Sequence, residues 1–237
     1  FVGVTRRHAK QRYDIVHVHN MPDILVFAGL VPRITGAKVI LDLHDPMPEV
    51  FMTKYGLAYD HAAVKTLRFL EAFSIRMAHL VLTPNAAFRD LFLERGCPEE
   101  KIQVVMNSPQ ETIFHGGKGT ERREEGDTKG PFAVMYHGTI VERHGLDVAL
   151  KALERLKGRI PGLVFWVYGT GDYVEAFQRL VRERNLSDVV SCRGHVPLEE
   201  IARVIPDADV GIIPNKRTPF TERNLPTRIF EYLCFEK

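Results

Sequence analysis

Three short stretches in the second half of the sequence contain residue types that bind anionic ligands. The first, Y-H-G-T-I-V-E-R-H-G-L-D, places Gly138 after an apolar run and supplies Arg143 and His144 just before a predicted helix near Gly145. Glycine allows close backbone approach, and the free N–H groups at a helix start favour a negative group. The spacing indicates a phosphate-binding turn, although an ordinary turn with solvated charges has the same composition.

Two further loops repeat the pattern of an apolar run followed by glycine. G-T-G-D contains Gly169 and Gly171, and R-G-H-V-P offers the backbone of His195 and Val196 to a base. Val174 stands where a dinucleotide fingerprint has its third glycine, which disfavours a nicotinamide cofactor. Each loop alone is typical of a simple turn, but three in succession favour a nucleotide site.

The stretch N-L-P-T-R-I-F-E-Y-L predicts a helix whose first turn runs from Asn224 to Thr227. We expect its free N–H groups and the positive end of its dipole to face a diphosphate. Glu231 lies four residues after Thr227 on the same face, where a carboxylate can accept hydrogen bonds from both ribose hydroxyls. The alternative is a surface Glu231 in an ion pair with Arg228.

Histidines dominate the chemistry of the first half. His17 and His19 form an H-x-H pair on a predicted strand, so both imidazoles point to one face. Together with His44 and Asp45 they predict, as an alternative, the metal site of a hydrolase. An open α/β pattern, in place of a barrel, makes this the less favoured interpretation.

These residues follow predicted strands that alternate with predicted helices. The predicted strands are 14–19, 38–45, 79–83, 101–106, 132–136, 164–168, 189–193 and 210–214. The predicted helices lie near 23–33, 57–78, 85–95, 145–157, 172–185 and 197–205. Helix-length connections require right-handed crossovers and parallel pairing. We therefore predict an α/β fold of two Rossmann-like domains facing each other across a cleft, both sheets mainly parallel.

Composition divides the chain and limits its class. A polar, glycine-rich stretch without periodicity predicts an N-terminal domain at 1–113, a linker or long loop at 114–130 and a C-terminal domain at 131–237. With 45% hydrophobic and 26% charged residues, the 237-residue chain has the balance of a soluble globular protein, and a net charge of +2 gives no reason to expect nucleic acid. Three scattered cysteines and no long apolar run predict a cytoplasmic protein without a disulfide framework.

In their order along the chain, these motifs resemble the carboxyl-terminal half of a GT-B retaining glycosyltransferase of family four. V-H-V-H-N, L-D-L-H-D-P-M-P-E and T-P-N-A-A-F are similar to its acceptor-side domain. The resemblance implies a hexosyltransferase-type enzyme that moves a sugar from a nucleotide-diphosphate sugar to a glycan or lipid-linked acceptor with retention. It also implies that the second domain binds the nucleotide sugar, that no cofactor is needed and that metal is not required. A nucleotide-sugar-binding domain without catalysis is a third hypothesis.

The resemblance also implies site residues. His44 would hydrogen-bond the donor sugar near the anomeric centre, positioned by Asp45 and Glu49, and Glu231 would hold the ribose. The predicted catalytic set is His44, Asp45 and Glu231, with no metal ligands. The predicted donor-binding set is Gly138, Thr139, Arg143, His144, Gly169, Gly171, His195, Val196, Asn224, Leu225, Thr227 and Arg228.

Three departures from the family pattern leave the sugar and the base open. The first glutamate of the E-x7-E motif falls at Arg223, with Glu222 next to it. Thr139 stands where the family has arginine and His144 where it has lysine, although Arg143 can restore the charge.

Two further expectations concern the whole chain. The basic, apolar segment 62–82 is typical of a helix that covers a sheet, and peripheral contact with the cytoplasmic membrane face is the alternative. The resemblance also implies a strand missing at each end, so we expect this piece alone to be poorly soluble and inactive.

Overall fold

The computed structural model describes residues 1–115 and 130–237. These residues form two compact units, and the chain returns to the first unit late in the sequence. The first unit contains Phe1–Asn107 and Arg217–Leu225, and the second contains Ser108–Lys216 and Pro226–Lys237. The predicted linker at 114–130 falls almost wholly on residues outside the described ranges.

The first unit is built on a four-stranded parallel sheet in the order β1-β2-β3-β4. The strands are β1 (Ile15–His19), β2 (Lys38–Asp42), β3 (Leu80–Thr83) and β4 (Ile102–Val104). The helices are α1 (Val2–Lys10), α2 (Leu30–Ile34), α3 (Met47–Tyr55), α4 (Ala62–Met77) and α5 (Ala86–Glu94), with 3-10 segments at Asp23–Gly29 and Glu99–Lys101. A helical segment lies in every connection between neighbouring strands, as parallel pairing requires.

The second unit repeats this architecture with the strand order β7-β6-β5-β8. Its strands are β5 (Ala133–His137), β6 (Val164–Tyr168), β7 (Val190–Gly194) and β8 (Val210–Gly211). Its helices are α6 (Leu146–Leu156), α7 (Val174–Glu183), α8 (Leu198–Val204) and α9 (Arg228–Leu233), with 3-10 segments at Glu142–His144 and Ile205–Asp207. All strand pairs in both sheets are parallel, which confirms the predicted sheet type.

Burial on both sheet faces explains why the strands are continuous apolar runs. All five residues of β5 are buried, and Val39 and Leu41 of β2 are at most 1% exposed. Helices cover both faces of such a sheet, so little alternation with polar residues survives. Within the described residues no helix combines the length and the apolar character needed to span a membrane.

Three local predictions were wrong. Strand β2 ends at Asp42, three residues earlier than predicted, so His44 and Asp45 lie beyond it. Helix α3 was missed, although Pro48 in its first turn and a left-handed Gly56 at its end are typical helix boundary signals. Helix α1 was also missed.

The carboxyl-terminal helix does not begin at Asn224 as predicted. Helix α9 begins at Arg228, with Thr227 at its N-cap. The N–H of Asn224 donates to the carbonyl of Phe220 at 3.1 Å, which closes a preceding turn. Pro226 disfavours helical geometry at the residue before it. The helical first turn expected at 224–227 is therefore not formed.

Candidate functional site

The carboxyl ends of β5, β6 and β7 surround a cavity of about 210 Å³ in the second unit. Ligands of open parallel sheets bind at this end of the strands. Of the predicted donor residues, the cavity is lined by Gly138, Thr139, Gly169, His195 and Val196. It is also lined by five residues that sequence analysis did not select: His137, Tyr168, Thr170, Leu198 and Ile201. His137 and Tyr168 could have been found as the last residues of their strands.

The glycines at this rim allow one loop to pack on the next. A Cβ at Gly169, where φ is +140°, would overlap the carbonyl oxygen of Gly138, and one at Gly171 would overlap that of Ile140. The N–H of Gly138 donates to the carbonyl of Tyr168 at 3.0 Å. The N–H of Gly169 donates to the carbonyl of Gly194, the last residue of β7, at 2.7 Å. The N–H groups of Gly138 and Gly169 therefore bond within the protein, and the glycines allow the loops at the rim to pack closely.

Arg228, the first residue of α9, brings a guanidinium group directly behind Gly138. Its Cζ atom lies 4.8 Å from the centroid of the Tyr136 ring, a cation–π contact. Its Nη2 atom lies 2.6 Å from the point where a Cβ of residue 138 would stand. The Nη1 atom is buried and has no hydrogen-bond partner among the described residues. Because an unpaired buried donor is unfavourable, this group is suited to an anionic ligand.

Glu231 lies one turn further along α9, beside His137. Its Oε2 atom is 3.2 Å from His137 Nε2, but that nitrogen makes no aligned hydrogen bond within the described ranges. Burial, reinforced by the charge of Arg228, lowers the pKa of His137 to about 4, so the imidazole is neutral at pH 7. Burial raises the pKa of Glu231, and the Arg228 charge opposes this. In the part of the chain that the structure describes, Glu231 and Arg228 form no ion pair, contrary to the surface alternative.

His144 and Arg143 differ in their exposure and in their contacts. The Nδ1 atom of His144 lies 2.7 Å from the carbonyl oxygen of Thr139 and 3.0 Å from the Tyr136 hydroxyl, so His144 anchors the loop after β5. Burial lowers the pKa of His144 and favours its neutral form. The side chain of Arg143 is exposed just before α6, and neither residue lines the cavity.

The remaining predicted donor residues divide between the two units. Thr227 caps α9 in the second unit, where its carbonyl accepts from the N–H of Glu231. Asn224 and Leu225 belong by their contacts to the first unit. They lie on the segment whose Phe220 ring packs 6.1 Å from Phe88.

In the first unit, the ends of β1 and β2 gather three histidines. His44 Nε2 lies 3.1 Å from His19 Nδ1, and His17 stacks on His19 with ring centroids 4.3 Å apart. Sequence analysis joined Asp45 to these histidines; the structure instead brings Asp42, the last residue of β2, within 3.4 to 3.5 Å of all three.

Glu49, predicted to help position His44, is buried in a different network. Its carboxylate forms a short ion pair with Arg95, which also binds Glu71 at 2.8 Å. This bridge ties α3 and α4 to the end of α5, so Glu49 has a structural role.

Most of the segment predicted at 62–82 is helix α4, and its last three residues belong to β3. The packing of α4 confirms the preferred interpretation that it covers the sheet. Val64 and Ile75 are buried, and Ile75 belongs to the core of the first unit. On its outer side Lys65 and Arg76 are exposed and Phe69 is 68% exposed.

Two family models match the chain. The model described as glycosyl transferase 4-like domain matches residues 1–108, and the model described as glycosyl transferases group 1 matches residues 117–237. The second match covers half of the chain.

Two curated relatives show the range of similar sequences. The putative colanic acid biosynthesis glycosyltransferase WcaL of Escherichia coli is 26% identical over 140 residues, which is 59% of this chain and 33% of the relative. The GDP-mannose-dependent alpha-(1-6)-phosphatidylinositol monomannoside mannosyltransferase of Mycolicibacterium smegmatis is 34% identical over 82 residues, 34% of this chain and 21% of the relative. The matched part of the chain thus spans at most about a third of these relatives.

Among solved structures, Anabaena Alr3699/HepE in complex with UDP is similar over 98% of this chain and 60% of its own. The TM-score is 0.73 and the sequence identity 16%. At this identity the likeness concerns the fold, and it confirms the predicted GT-B fold class with its two parallel α/β sheets.

Proposed function

The chain belongs to the glycosyl transferases group 1 family, and from that premise we propose that the protein is a family-four retaining enzyme. It transfers a hexosyl group from a nucleoside-diphosphate sugar to an acceptor hydroxyl, keeps the anomeric configuration and needs no metal ion for the transfer. The donor nucleotide occupies the cavity at the carboxyl ends of β5, β6 and β7.

One observation carries the donor assignment: behind Gly138 lies the buried Nη1 of Arg228, which has no hydrogen-bond partner within residues 1–115 and 130–237. A planar guanidinium matches the oxygens of a diphosphate with two parallel hydrogen bonds, which a lysine cannot reproduce. The cation–π contact with Tyr136 helps to hold the guanidinium in place. A diphosphate is an anion that this group is suited to bind.

Glu231 and the far side of the cavity supply the remaining donor contacts. Its carboxylate accepts hydrogen bonds from the two ribose hydroxyls. The backbone of His195 and Val196, together with the Tyr168 ring, borders the space for the base. The named relatives and neighbours include both UDP and GDP-mannose proteins, so both bases enter the test.

The reaction we propose takes place on one face of the sugar. The bond between the anomeric carbon and the donor phosphate oxygen breaks, and the acceptor oxygen forms a new bond to that carbon from the same side. The acceptor proton passes to the leaving phosphate oxygen. His44 hydrogen-bonds a hydroxyl of the transferred sugar and shields the developing positive charge, and Asp45 supports it.

The acceptor is proposed to be a glycan or a lipid-linked saccharide in the cytoplasm, in line with the polysaccharide role named for WcaL. Exposed Lys65, Phe69 and Arg76 on α4 would allow peripheral contact with an anionic membrane that carries such an acceptor. Family membership favours this transferase over the metal-dependent hydrolase and over a binding domain without turnover.

Turnover with a panel of UDP- and GDP-sugars tests the proposal. We expect release of nucleoside diphosphate that increases with acceptor concentration, in the presence of a chelator, with retention in the product. Arg228→Met should weaken nucleoside diphosphate binding by about tenfold or more and leave nucleoside binding nearly unchanged. Arg203→Met is the matched control, because Arg203 is a highly exposed arginine on α8.

Two results would contradict the proposal. If Arg228→Met weakens the binding of nucleoside and of nucleoside diphosphate equally, the diphosphate does not lie at this position. Sugar release to water alone, at a rate independent of every acceptor, would favour a hydrolase.

A further inference from the structure

Three side chains from two neighbouring strands meet on one face of the first sheet. His17 and His19 alternate on β1, and Asp42 is the register partner of His19 on β2. The period of two keeps these three on one side, and His44, beyond the end of β2, lies beside His19. Parallel pairing in this register, and not the sequence spacing alone, brings Asp42 to the histidines.

The ligand atoms of His17, His19 and Asp42 all lie within 4.8 Å of one another, close enough to bind one metal ion. Asp42 Oδ2 lies 3.4 Å from His17 Nε2, 3.4 Å from His19 Nδ1 and 3.5 Å from His44 Nε2. The His19 and His44 nitrogens are 3.1 Å apart. A tetrahedral zinc ion with bonds of about 2.0 to 2.2 Å requires ligand atoms about 3.3 to 3.6 Å apart. The contacts of Asp42 with His17 and with His19 are therefore close to the required length.

Hydrogen bonding explains only one of these contacts. The His19–His44 distance is that of an ordinary hydrogen bond, but the three distances to Asp42 Oδ2 exceed the usual range of about 2.7 to 3.2 Å. The imidazole side chains are 41 to 58% exposed and the Asp42 side chain is 15% exposed, and the three imidazoles converge on one Asp42 oxygen. A metal ion bound by His17, His19 and Asp42 would account for this convergence.

We propose that His17, His19 and Asp42 bind one divalent transition metal ion of the zinc class. Two imidazoles with one carboxylate form a donor set that suits zinc, copper and nickel, whereas magnesium and calcium prefer oxygen ligands. No part of this assignment requires the ion to take part in sugar transfer.

Asn20 fixes the strand ends that carry the ligands. Its N–H donates to the carbonyl of Asp42 at 2.9 Å, and its Oδ1 accepts from the N–H of His44 at 2.9 Å. Its Nδ2 donates to the carbonyl of Asp45 at 2.7 Å. One side chain thus ties the end of β1 to the segment after β2, which holds the ligand backbone in register before the ion binds.

Occupancy of this site has a consequence that rests on the proposed function. A metal ion bound to His19 would lie beside the His44 imidazole, whose Nε2 is 3.1 Å from His19 Nδ1 and which is proposed to contact the transferred sugar. Zinc is therefore expected to inhibit transfer, and a chelator is expected to restore it.

Metal titration of untagged purified protein tests the site without reference to activity. After chelator treatment, calorimetry with Zn²⁺ should give one ion per chain, and Co²⁺ should give the strong visible absorption of a tetrahedral site. His17→Ala should lower zinc affinity by more than about tenfold, since loss of a ligand exceeds the about 10- to 100-fold cost of losing an outer partner. Asp42→Asn should weaken binding while nearly keeping the shape of the side chain.

His115→Ala is the matched control, because His115 is an exposed histidine of the second unit. Its zinc affinity should equal that of the unchanged protein, and circular dichroism should show all variants folded. Zinc binding of less than one ion per chain, or binding unaffected by both His17→Ala and Asp42→Asn, would overturn the proposal.

Activity then separates this site from the proposed function. Stoichiometric zinc binding with inhibition that His17→Ala weakens supports both. Stoichiometric binding that leaves transfer unchanged supports the metal site and contradicts the role of His44 in transfer.

Discussion

At Glu231, burial and a neighbouring guanidinium act on one carboxyl group in opposite directions. Burial raises its pKa and the charge of Arg228 lowers it. His137, only 3.2 Å away, gives no compensating positive charge, because its own pKa is lowered to about 4 by burial and by Arg228. A ligand that brings hydroxyl donors to Glu231 therefore stabilises its charged form.

Replacing this carboxylate tests the ribose contact. Glu231→Ala should weaken donor binding by about 1.5 to 3 kcal/mol for each charge-assisted hydrogen bond lost, or about tenfold to 150-fold for one bond. Calorimetry with nucleoside diphosphate measures the change. Glu175→Ala, an exposed carboxylate on α7, is the control and should bind normally. If Glu231→Ala also binds nucleoside diphosphate normally, Glu231 does not contact the ribose.

Loop packing is the relevant effect at the scale of elements. Gly171 has an ordinary φ, yet a Cβ there would overlap the carbonyl oxygen of Ile140. Gly171→Ala should lower the free energy of unfolding of the second unit by about 1 to 3 kcal/mol and disturb nucleotide binding, because the loops after β5 and β6 must separate. Thermal and denaturant unfolding measure this.

Gly3→Ala is the control for this substitution. Gly3 lies in α1 with no atom within 4 Å of an added Cβ, so alanine should be neutral or stabilise by about 0.5 to 1 kcal/mol. Equal stability of both variants would show that the two loops tolerate separation.

A buried bridge between helices makes the first unit sensitive to pH. Burial raises the pKa of Glu71 to about 7 despite the opposing charge of Arg95. The folded state thus keeps a proton that the unfolded state loses near the ordinary glutamate pKa of 4.5. The stability due to this proton is complete below the unfolded pKa and is lost as pH rises through about 7.

Glu71→Gln should remove this dependence. The slope of unfolding free energy against pH between about 4.5 and 7 should become less negative by up to about 1.4 kcal/mol per pH unit. Denaturant unfolding at a series of pH values measures the slope. Glu183→Gln, on the exposed side of α7, should leave it unchanged, and an unchanged slope in Glu71→Gln would assign the proton to another group.

At the scale of the whole molecule, chain order and structural unit do not coincide. Phe220 is 9% exposed and belongs to the core of the first unit, although it lies near the carboxyl end. Phe114 lies in the first half of the sequence but packs in the second unit with Met135 and Tyr232. Each unit is thus completed by a segment that the position along the chain would assign to the other.

Separate substitutions of Phe220 and Phe114 test which unit each of these two segments completes. Phe220→Ala should destabilise the first unit by about 3 to 5 kcal/mol and speed hydrogen exchange in α5, where Phe88 loses its partner. Phe114→Ala should speed exchange around β5 and α9 instead. Hydrogen-exchange mass spectrometry measures the exchange rates of peptides from both units in one sample. Faster exchange in α9 and not in α5 after Phe220→Ala would contradict the assignment.

The sequence by itself determined the parallel α/β fold, and with it the edge of the sheet where a ligand binds. Apolar runs such as β5 and β6 must be covered on both faces, and the helix-length segments between them allow only parallel crossovers. The rim residues Gly138, Gly169 and His195 followed from the same rule, because strand ends meet at one edge.

Tertiary structure alone decided several contacts of the predicted site residues. The N–H of Asn224 donates to the carbonyl of Phe220 in a turn, and α9 begins only at Arg228. Strand register brings Asp42 to His17 and His19, although Asp45 is nearer His44 in sequence. Local patterns fix which residues face a sheet edge, because they follow the period of the backbone. Pairing across that edge depends on contacts between distant segments, which no local pattern encodes.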